Sequence, residues 1–318
     1  MANLVWLQGA TDNGCSISFL NTHEPDVAQL IRRFEVNIAF HPTINPTSGP
    51  EAMRSLEPYA QGEKPLDVLI VEGAVQTGPN GTGEYCIVGE RPFKELVQEL
   101  ARAAHYVVAI GTCASFGGIA AAEPNPTEAT GLQFHRDQRG GFLGADYRSK
   151  AGLPVVNISG CPAHPDRLVH TLAAVLLGKG GAIQLDEYQR PLDFYGSLTH
   201  DACPNNEYFE YKQSAEHFTD KGCLFEELGC KGPLTHSDCN RRLWNLHSSK
   251  TRAGSPCMGC TEPGFPDEYV PFFETVKTRA GFPRKLPLGT SRTTYMAMAA
   301  SAKLACPDRL KSGKNKKK

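Results

Sequence analysis

The sequence of 318 residues has no run of 18 apolar residues, so we expect no transmembrane segment. It also has little excess charge, because 33 basic and 34 acidic residues leave a net charge of −1. A basic stripe of the kind that binds nucleic acid is therefore not expected. The N-terminus has no basic region followed by a long apolar stretch. We predict a cytoplasmic protein on that ground.

Cysteine is abundant, with eleven residues in the chain. In a reducing compartment a framework of disulfides is not expected. The number is also odd, so disulfides could not use every cysteine. The cysteines therefore indicate metal or redox chemistry.

The first part of the chain alternates short apolar runs with amphipathic stretches. We predict strands at 4–7, 36–40, 66–71, 106–110 and 153–158, and helices at 26–34, 92–104 and 166–177. Alternation of this kind favours an α/β fold with a doubly wound, flavodoxin-like parallel sheet, which we assign to residues 1–181.

The sequence pattern changes after about residue 181. Strand and helix patterns stop, and proline, glycine, cysteine and histidine become frequent. A segment of this composition usually needs metal or disulfide staples. We predict that residues 182–318 form a second, irregular domain that holds metal clusters and ends in a basic tail.

Three cysteines of the first domain follow predicted strands, namely Cys15, Cys113 and Cys161. Loops at the carboxyl ends of parallel strands gather in one crevice, so the three thiols should converge. Converging thiolates are the ligands of an iron–sulfur cluster. The alternative is that each cysteine is a small buried apolar residue.

The second domain carries a denser set of ligand types: His200, Cys203, Cys223, Cys230, Cys239, Cys257 and Cys260. A structural zinc site built from cysteine and histidine is the generic alternative. Seven ligands would leave one of two tetrahedral zinc sites incomplete.

The motifs themselves resemble those of the small subunits of nickel–iron hydrogenases. The resemblance is carried in the first domain by residues 6–15 (WLQGATDNGC), 71–74 (VEGA), 111–114 (GTCA) and 159–162 (SGCP), and in the second by 199–203, 222–233, 235–239 and 257–260. It implies a proximal 4Fe-4S cluster at the first group. Where the family has a Cys-x-x-Cys pair, this chain has Asp12 in place of the first cysteine.

We predict that Asp12 is the fourth proximal ligand, beside Cys15, Cys113 and Cys161. Asp12 could instead only cap the following helix, which would leave the iron to water or to Glu72. Glu72 is interpreted either as a residue that supports the ligands without binding iron or as an alternative ligand. A carboxylate is a harder ligand than a thiolate, so the reduction potential should differ. In this respect the chain is similar to actinobacterial-type, oxygen-tolerant hydrogenases.

The resemblance implies two further clusters. Its distal 4Fe-4S site corresponds to His200, Cys203, Cys223 and Cys230, and its medial 3Fe-4S site to Cys239, Cys257 and Cys260. The two cysteines left over, Cys86 and Cys306, are interpreted as structural.

The resemblance also implies an obligate partner, a large subunit that binds the nickel–iron centre and splits hydrogen. The chain would be the non-catalytic relay subunit of that hydrogenase and would pass electrons to an external acceptor. A dimer of heterodimers is compatible with this assembly. The alternatives are a structural zinc-binding protein or the cluster subunit of another respiratory complex.

Overall fold

The computed structural model describes residues 1–266 and 272–311. They form two compact units. The first unit comprises Met1–Phe194 and residues 261–266, and the second comprises Tyr195–Cys260 and residues 272–311. The first unit thus runs past residue 181, where the sequence pattern placed the boundary.

A five-stranded parallel sheet is the centre of the first unit. Its strands are β1 (Ala2–Gln8), β2 (Val36–Phe40), β3 (Leu66–Glu72), β4 (Ala104–Ile110) and β5 (Val156–Ile158). They lie in the order β2-β1-β3-β4-β5, and every neighbouring pair is parallel. This order is that of the flavodoxin-like fold and confirms the predicted fold class.

The helices of the first unit follow the strands. They are α1 (Gly14–Leu20), α2 (Val27–Arg33), α3 (Gly49–Arg54), α4 (Glu57–Ala60), α5 (Phe93–Ala103), α6 (Gly111–Phe116) and α7 (Pro165–Leu176). A capping box begins α2, because the Asp26 carboxylate accepts the Gln29 N–H while the Gln29 side chain accepts the Asp26 N–H. Three two-residue antiparallel ladders complete the loops.

Apolar side chains alternate across the sheet and fill both faces. Val5 and Leu7 of β1 pack on one face with α5, whereas Leu4 and Trp6 pack on the other face with α7. The central strand β3 is buried on both faces, as its continuous apolar run indicated. The eight predicted strands and helices are confirmed, with shifts at their ends. Strand β5 begins three residues later than predicted, and the N–H of Val155 donates to the Gln133 side chain instead of to the sheet.

Residues 261–266 belong to the first unit because buried side chains hold their carbonyl groups. The Ser159 hydroxyl donates to the Thr261 carbonyl at 2.8 Å, and the Arg190 guanidinium donates to the same oxygen at 3.0 Å. Arg136 donates to the Phe265 carbonyl at 2.9 Å. These contacts join positions more than 70 residues apart, which sequence periodicity does not register.

The described part of the second unit has little regular structure. Its helices are α9 (Asn206–Glu210) and α10 (Arg292–Leu304), and a short helix α8 (Leu192–Tyr195) spans the junction between the units. Its apolar core contains Phe209, Phe225 and Tyr295, and three cysteines lie within that core: Cys223, Cys230 and Cys257. Among the described helices, none combines the length and the apolar character needed to cross a bilayer.

Candidate cluster-binding sites

The first cysteine group lies at the carboxyl ends of three strands of the sheet. Cys15 lies in the first turn of α1 after β1, Cys113 lies in α6 directly after β4, and Cys161 follows β5. The three sulfurs are close enough that Cys113 and Cys161 both raise the pKa of the Cys15 thiol. The predicted convergence of the three thiols is therefore seen in the structure.

Gly111 permits the close approach of these thiols. Its φ of +85° is a conformation that favours glycine, and a Cβ at this position would lie 2.7 Å from the Cys15 sulfur. Any side chain here would displace the sulfur or strain the backbone. The glycine in the GTC motif is thus explained by the space that the thiol group occupies.

Burial is the main influence on these thiols, and it raises the pKa of Cys15 and of Cys113. Backbone amides oppose it, since Ala163 N–H donates to the Cys15 sulfur at 3.5 Å and the amides of Ile119 and Ala120 lower the pKa of Cys113. Buried thiols that accept N–H donors can become thiolates when a cationic metal centre offsets the burial. This donor set fits an iron–sulfur cluster.

Glu72 is fully buried at the end of β3, and its carboxylate holds the start of α1. Its Oε1 accepts the backbone N–H of Cys15 at 3.1 Å and that of Ser16 at 3.2 Å. The other donors are the Thr11 hydroxyl on Oε1, and the Trp6 indole, the Gln8 amide and the Ser16 hydroxyl on Oε2. With both oxygens engaged in this way, Glu72 acts as a positioning residue for Cys15.

Asp12 lies at the edge of the same group. Its Oδ1 accepts the N–H of Gly14 at 2.9 Å, across Asn13, which has a φ of 62°. Asn13 is the N-cap residue of α1 and no side chain makes a capping hydrogen bond there, so the Asp12 contact is a turn that holds the N–H of the first residue of α1. The carboxylate is also near enough to Cys113 to raise the pKa of that thiol. Because a carboxylate has two oxygens, this turn leaves Oδ2 for a metal ligand role.

The second group of predicted ligands lines one cavity of the second unit. Its walls include all four predicted distal residues: His200, Cys203, Cys223 and Cys230. Burial lowers the pKa of His200, which favours the neutral imidazole that binds metals. Burial raises the pKa of both Cys223 and Cys230 to about 12. The four residues span 30 positions of the sequence, from His200 to Cys230, and irregular backbone brings them together.

The third group is centred on Cys257. Burial raises the pKa of Cys257, and the nearby thiols of Cys230, Cys260 and Cys239 raise it further. The backbone N–H of Cys257 also donates to the Cys230 sulfur at 3.3 Å. A single hydrogen bond thus joins the predicted medial and distal groups. The predicted medial cysteines and the predicted distal residues thus lie next to one another within the second unit.

The two unassigned cysteines have other surroundings. Cys86 packs against the apolar core of the first unit, and burial raises the pKa of its thiol. Cys306 is buried in the second unit, where its thiol donates to the Pro307 carbonyl at 3.5 Å. Both contacts are those of packed structural residues.

The sequence predicts Glu72 either as a residue that supports the ligands or as an alternative ligand, and in the structure its carboxylate accepts the N–H groups at the start of α1. The sequence feature that indicates this role is a single acidic residue at the end of a continuous apolar strand, because a carboxylate buried there needs hydrogen-bond donors around it. Lys250 was not considered, although its ammonium donates to the Cys260 sulfur at 3.6 Å. A lysine ten residues from a cysteine has no recognisable pattern.

Comparisons with known proteins agree with this division of the chain. The family that describes the C-terminal region of the NiFe/NiFeSe hydrogenase small subunit matches residues 195–273. The family described as "NADH ubiquinone oxidoreductase, 20 Kd subunit" matches residues 13–175. The match to the second region is specific to hydrogenases. The alternatives of a zinc protein or another respiratory subunit are therefore not favoured.

Individual relatives cover nearly the same length. The F420 non-reducing hydrogenase II small subunit of Methanosarcina mazei is 37% identical over 297 residues, which are 85% of this chain and 75% of that protein. The periplasmic [NiFeSe] hydrogenase small subunit of Desulfomicrobium baculatum is 37% identical over 287 residues, covering 86% and 87%.

Solved structures give the same result. The reduced, active Ni-Fe-Se hydrogenase from Desulfomicrobium baculatum has a TM-score of 0.75 at 37% identity, covering 86% of this chain and 98% of that chain. The actinobacterial-type NiFe-hydrogenase from Ralstonia eutropha H16 has a TM-score of 0.79 at 30% identity, covering 96% and 89%. The chain therefore belongs to the small subunits of nickel–iron hydrogenases, the electron-transfer subunits that pair with a large subunit in the heteromeric enzyme.

Proposed function

We propose that this chain carries three iron–sulfur clusters in the order proximal, medial and distal. Hydrogen split at the nickel–iron centre of the large subunit yields two protons and two electrons. Bound clusters would pass these electrons one at a time to an external acceptor. The observation that carries the proposal is the cavity of the second unit, since all four predicted distal ligands line it.

The ligand sets follow from the three groups. Asp12, Cys15, Cys113 and Cys161 would hold a proximal 4Fe-4S cluster, and His200, Cys203, Cys223 and Cys230 a distal one. Cys239, Cys257 and Cys260 would hold a medial 3Fe-4S cluster. Three irons are proposed there because the sequence has no further cysteine between Cys239 and Cys257. The hydrogen bond from Cys257 to Cys230 supports electron transfer between the last two sites.

Asp12 would distinguish this relay from those with four proximal cysteines. Its carboxylate is a harder, less electron-donating ligand than a thiolate, so the reactivity of the proximal cluster toward oxygen should differ. Asp12, the position at which the sequence resembles actinobacterial-type, oxygen-tolerant hydrogenases, is the ground for the further proposal that the enzyme is oxygen-tolerant. We also propose a cytoplasmic location and an assembly of two heterodimers.

Anaerobic co-purification followed by metal analysis tests the main proposal. A tagged chain should bring down a large subunit, and the complex should contain about eleven iron atoms per small subunit with matching acid-labile sulfide. Paramagnetic resonance should show a 3Fe-4S signal in the oxidised enzyme. A preparation with zinc and little iron would refute the cluster assignment.

Two substitutions at Asp12 distinguish a role as an iron ligand from a role only in accepting the Gly14 N–H. Asp12→Asn retains an oxygen that can accept the Gly14 N–H but removes the carboxylate charge, whereas Asp12→Cys supplies a thiolate. If Asp12 binds iron, both changes should alter the spectrum and potential of the proximal cluster and leave the other two unchanged. A wild-type proximal spectrum in both variants would show that Asp12 only holds the turn before α1.

A further inference from the structure

The charged groups that face the sulfurs differ between the proximal and medial sites. At the proximal site the nearby charges are carboxylates, because Glu72 acts on Cys15 and both Asp12 and Glu72 act on Cys113. A negative charge disfavours adding an electron to an adjacent cluster. These carboxylates therefore lower the reduction potential of a cluster bound there.

At the medial site the nearby charges are lysines. The Lys250 ammonium donates to the Cys260 sulfur at 3.6 Å. Lys231 is half-buried beside the same group, and the sulfurs of Cys230 and Cys257 both act on it. An N–H donor to a ligand sulfur and a cation beside it both stabilise the reduced cluster, which carries one more negative charge.

The acid nearest in sequence to the medial cysteines is balanced by its own partner. Asp238 is buried, and the Arg242 guanidinium donates to its carboxylate at 2.9 Å. The Cys239 sulfur lies 2.7 Å from the Ser237 hydroxyl, which is neutral. Glu262, which is buried two residues after Cys260, lies 3.4 Å from the Arg190 guanidinium. Lys250 is the charged group that donates directly to a medial sulfur in the described residues.

At the distal site opposite charges act together. Lys212 lies with its ammonium 4.0 Å from the centre of the Phe209 ring and acts on Cys223, but Glu226 acts on the same sulfur with the opposite sign. Glu226 is held there by the Tyr295 hydroxyl at 2.6 Å and the Ser214 hydroxyl at 2.8 Å. Glu226 thus offsets Lys212 at Cys223, whereas Lys231 acts on Cys230 as well as on Cys257.

We infer that Lys250 is a positioning residue for electron transfer, which raises the reduction potential of the medial cluster through its charge and its hydrogen bond to Cys260. This inference rests on the proposed function. Each transfer oxidises the proximal cluster by one electron and reduces the medial cluster by one. With carboxylates at the first site and Lys250 at the second, these charges would favour electron transfer from a bound proximal cluster to a bound medial cluster.

Redox titration of the purified heterodimer, followed by paramagnetic resonance, tests the inference. Lys250→Gln should shift the medial midpoint potential to a more negative value and leave the proximal one unchanged. Lys250→Arg retains a cationic donor and should give a much smaller shift. Lys150→Gln is the matched control and should leave all three potentials unchanged, because Lys150 is exposed and its backbone N–H donates to the Ala104 carbonyl at the start of β4, the end opposite Cys113.

A second measurement on the wild-type enzyme does not depend on the stability of any variant. With 15N-labelled lysine, double resonance on the oxidised medial cluster should detect a coupled lysine nitrogen. The inference would be overturned if the wild-type enzyme showed no such coupling, if the medial potential did not shift in Lys250→Gln, or if the glutamine and arginine variants shifted it equally. A wild-type heterodimer without a medial signal would instead overturn the proposed function.

Discussion

Replacing Glu72 with glutamine should destabilise the first unit strongly, although the two side chains have nearly the same shape. Three donors meet each oxygen of the Glu72 carboxylate, and the side chain is fully buried. The amide nitrogen of glutamine would face three of these donors in either orientation. The buried donors on that side would lose their acceptor and would have no water to replace it.

The magnitude follows from the number and kind of hydrogen bonds that the carboxylate accepts. Hydrogen bonds to a charged group contribute roughly 1.5–3 kcal/mol each, and breaking a buried charged network costs about 3–5 kcal/mol. For a unit of this size, each kcal/mol changes Tm by roughly 2–4 °C. We therefore expect the melting transition of the first unit to fall by roughly 6–20 °C.

Differential scanning calorimetry of the anaerobic heterodimer measures this change. Hydrogen exchange should also quicken at the amides of Cys15 and Ser16, which donate to the carboxylate. Glu63→Gln changes an exposed glutamate in the same unit and is the control. A loss of less than about 2 °C in Tm, with unchanged protection of α1, would refute the role assigned to Glu72.

Two further predictions concern the thiols. Gly111→Ala should lower the iron content of the proximal site, because the added Cβ would lie 2.7 Å from the Cys15 sulfur. Gly152→Ala is the control, since Gly152 has a φ of +75° with open space around it; this change should cost only about 1–2 kcal/mol of backbone strain and leave the iron content unchanged. Equal iron loss in both variants would contradict this explanation. In the iron-free chain, burial raises the pKa of Cys223 and Cys230 from 9.0 to about 12, so these thiols ionise earlier in the unfolded state. Their contribution to the free energy of unfolding should be constant below pH 9 and should fall between about pH 9 and 12. Denaturant titrations at several pH values would measure that fall; a flat profile would contradict it, and the iron-loaded protein should lack it because iron already holds the thiolates.

The sheet could be predicted because its information is local. Continuous apolar runs such as 66–71 report strands buried on both faces, and the period of residues 92–104 reports an amphipathic helix. Cysteines placed after three strands then follow from the rule that the carboxyl ends of parallel strands meet at one edge. The convergence of Cys15, Cys113 and Cys161 can therefore be predicted from the order of strands and loops along the chain.

The second unit depended on resemblance instead of periodicity. Its cysteines and His200 are spaced irregularly, and no pattern of period 2 or 3.6 positions them. The family motifs grouped them as distal and medial sites. The cavity that His200 lines together with Cys203, Cys223 and Cys230 is a feature of the tertiary structure, which the sequence pattern does not predict.

The sequence by itself therefore determined the fold class, the strand and helix positions and the kinds of ligand available, since these depend on neighbouring residues and on composition. Only the tertiary structure decided what surrounds each ligand. Glu72 holds α1 because the end of β3 lies beside the start of that helix, and Lys250 reaches Cys260 because a loop folds back on itself. Such contacts depend on the path of the backbone between distant residues, and that path sets the electrostatic environment in which each thiol works.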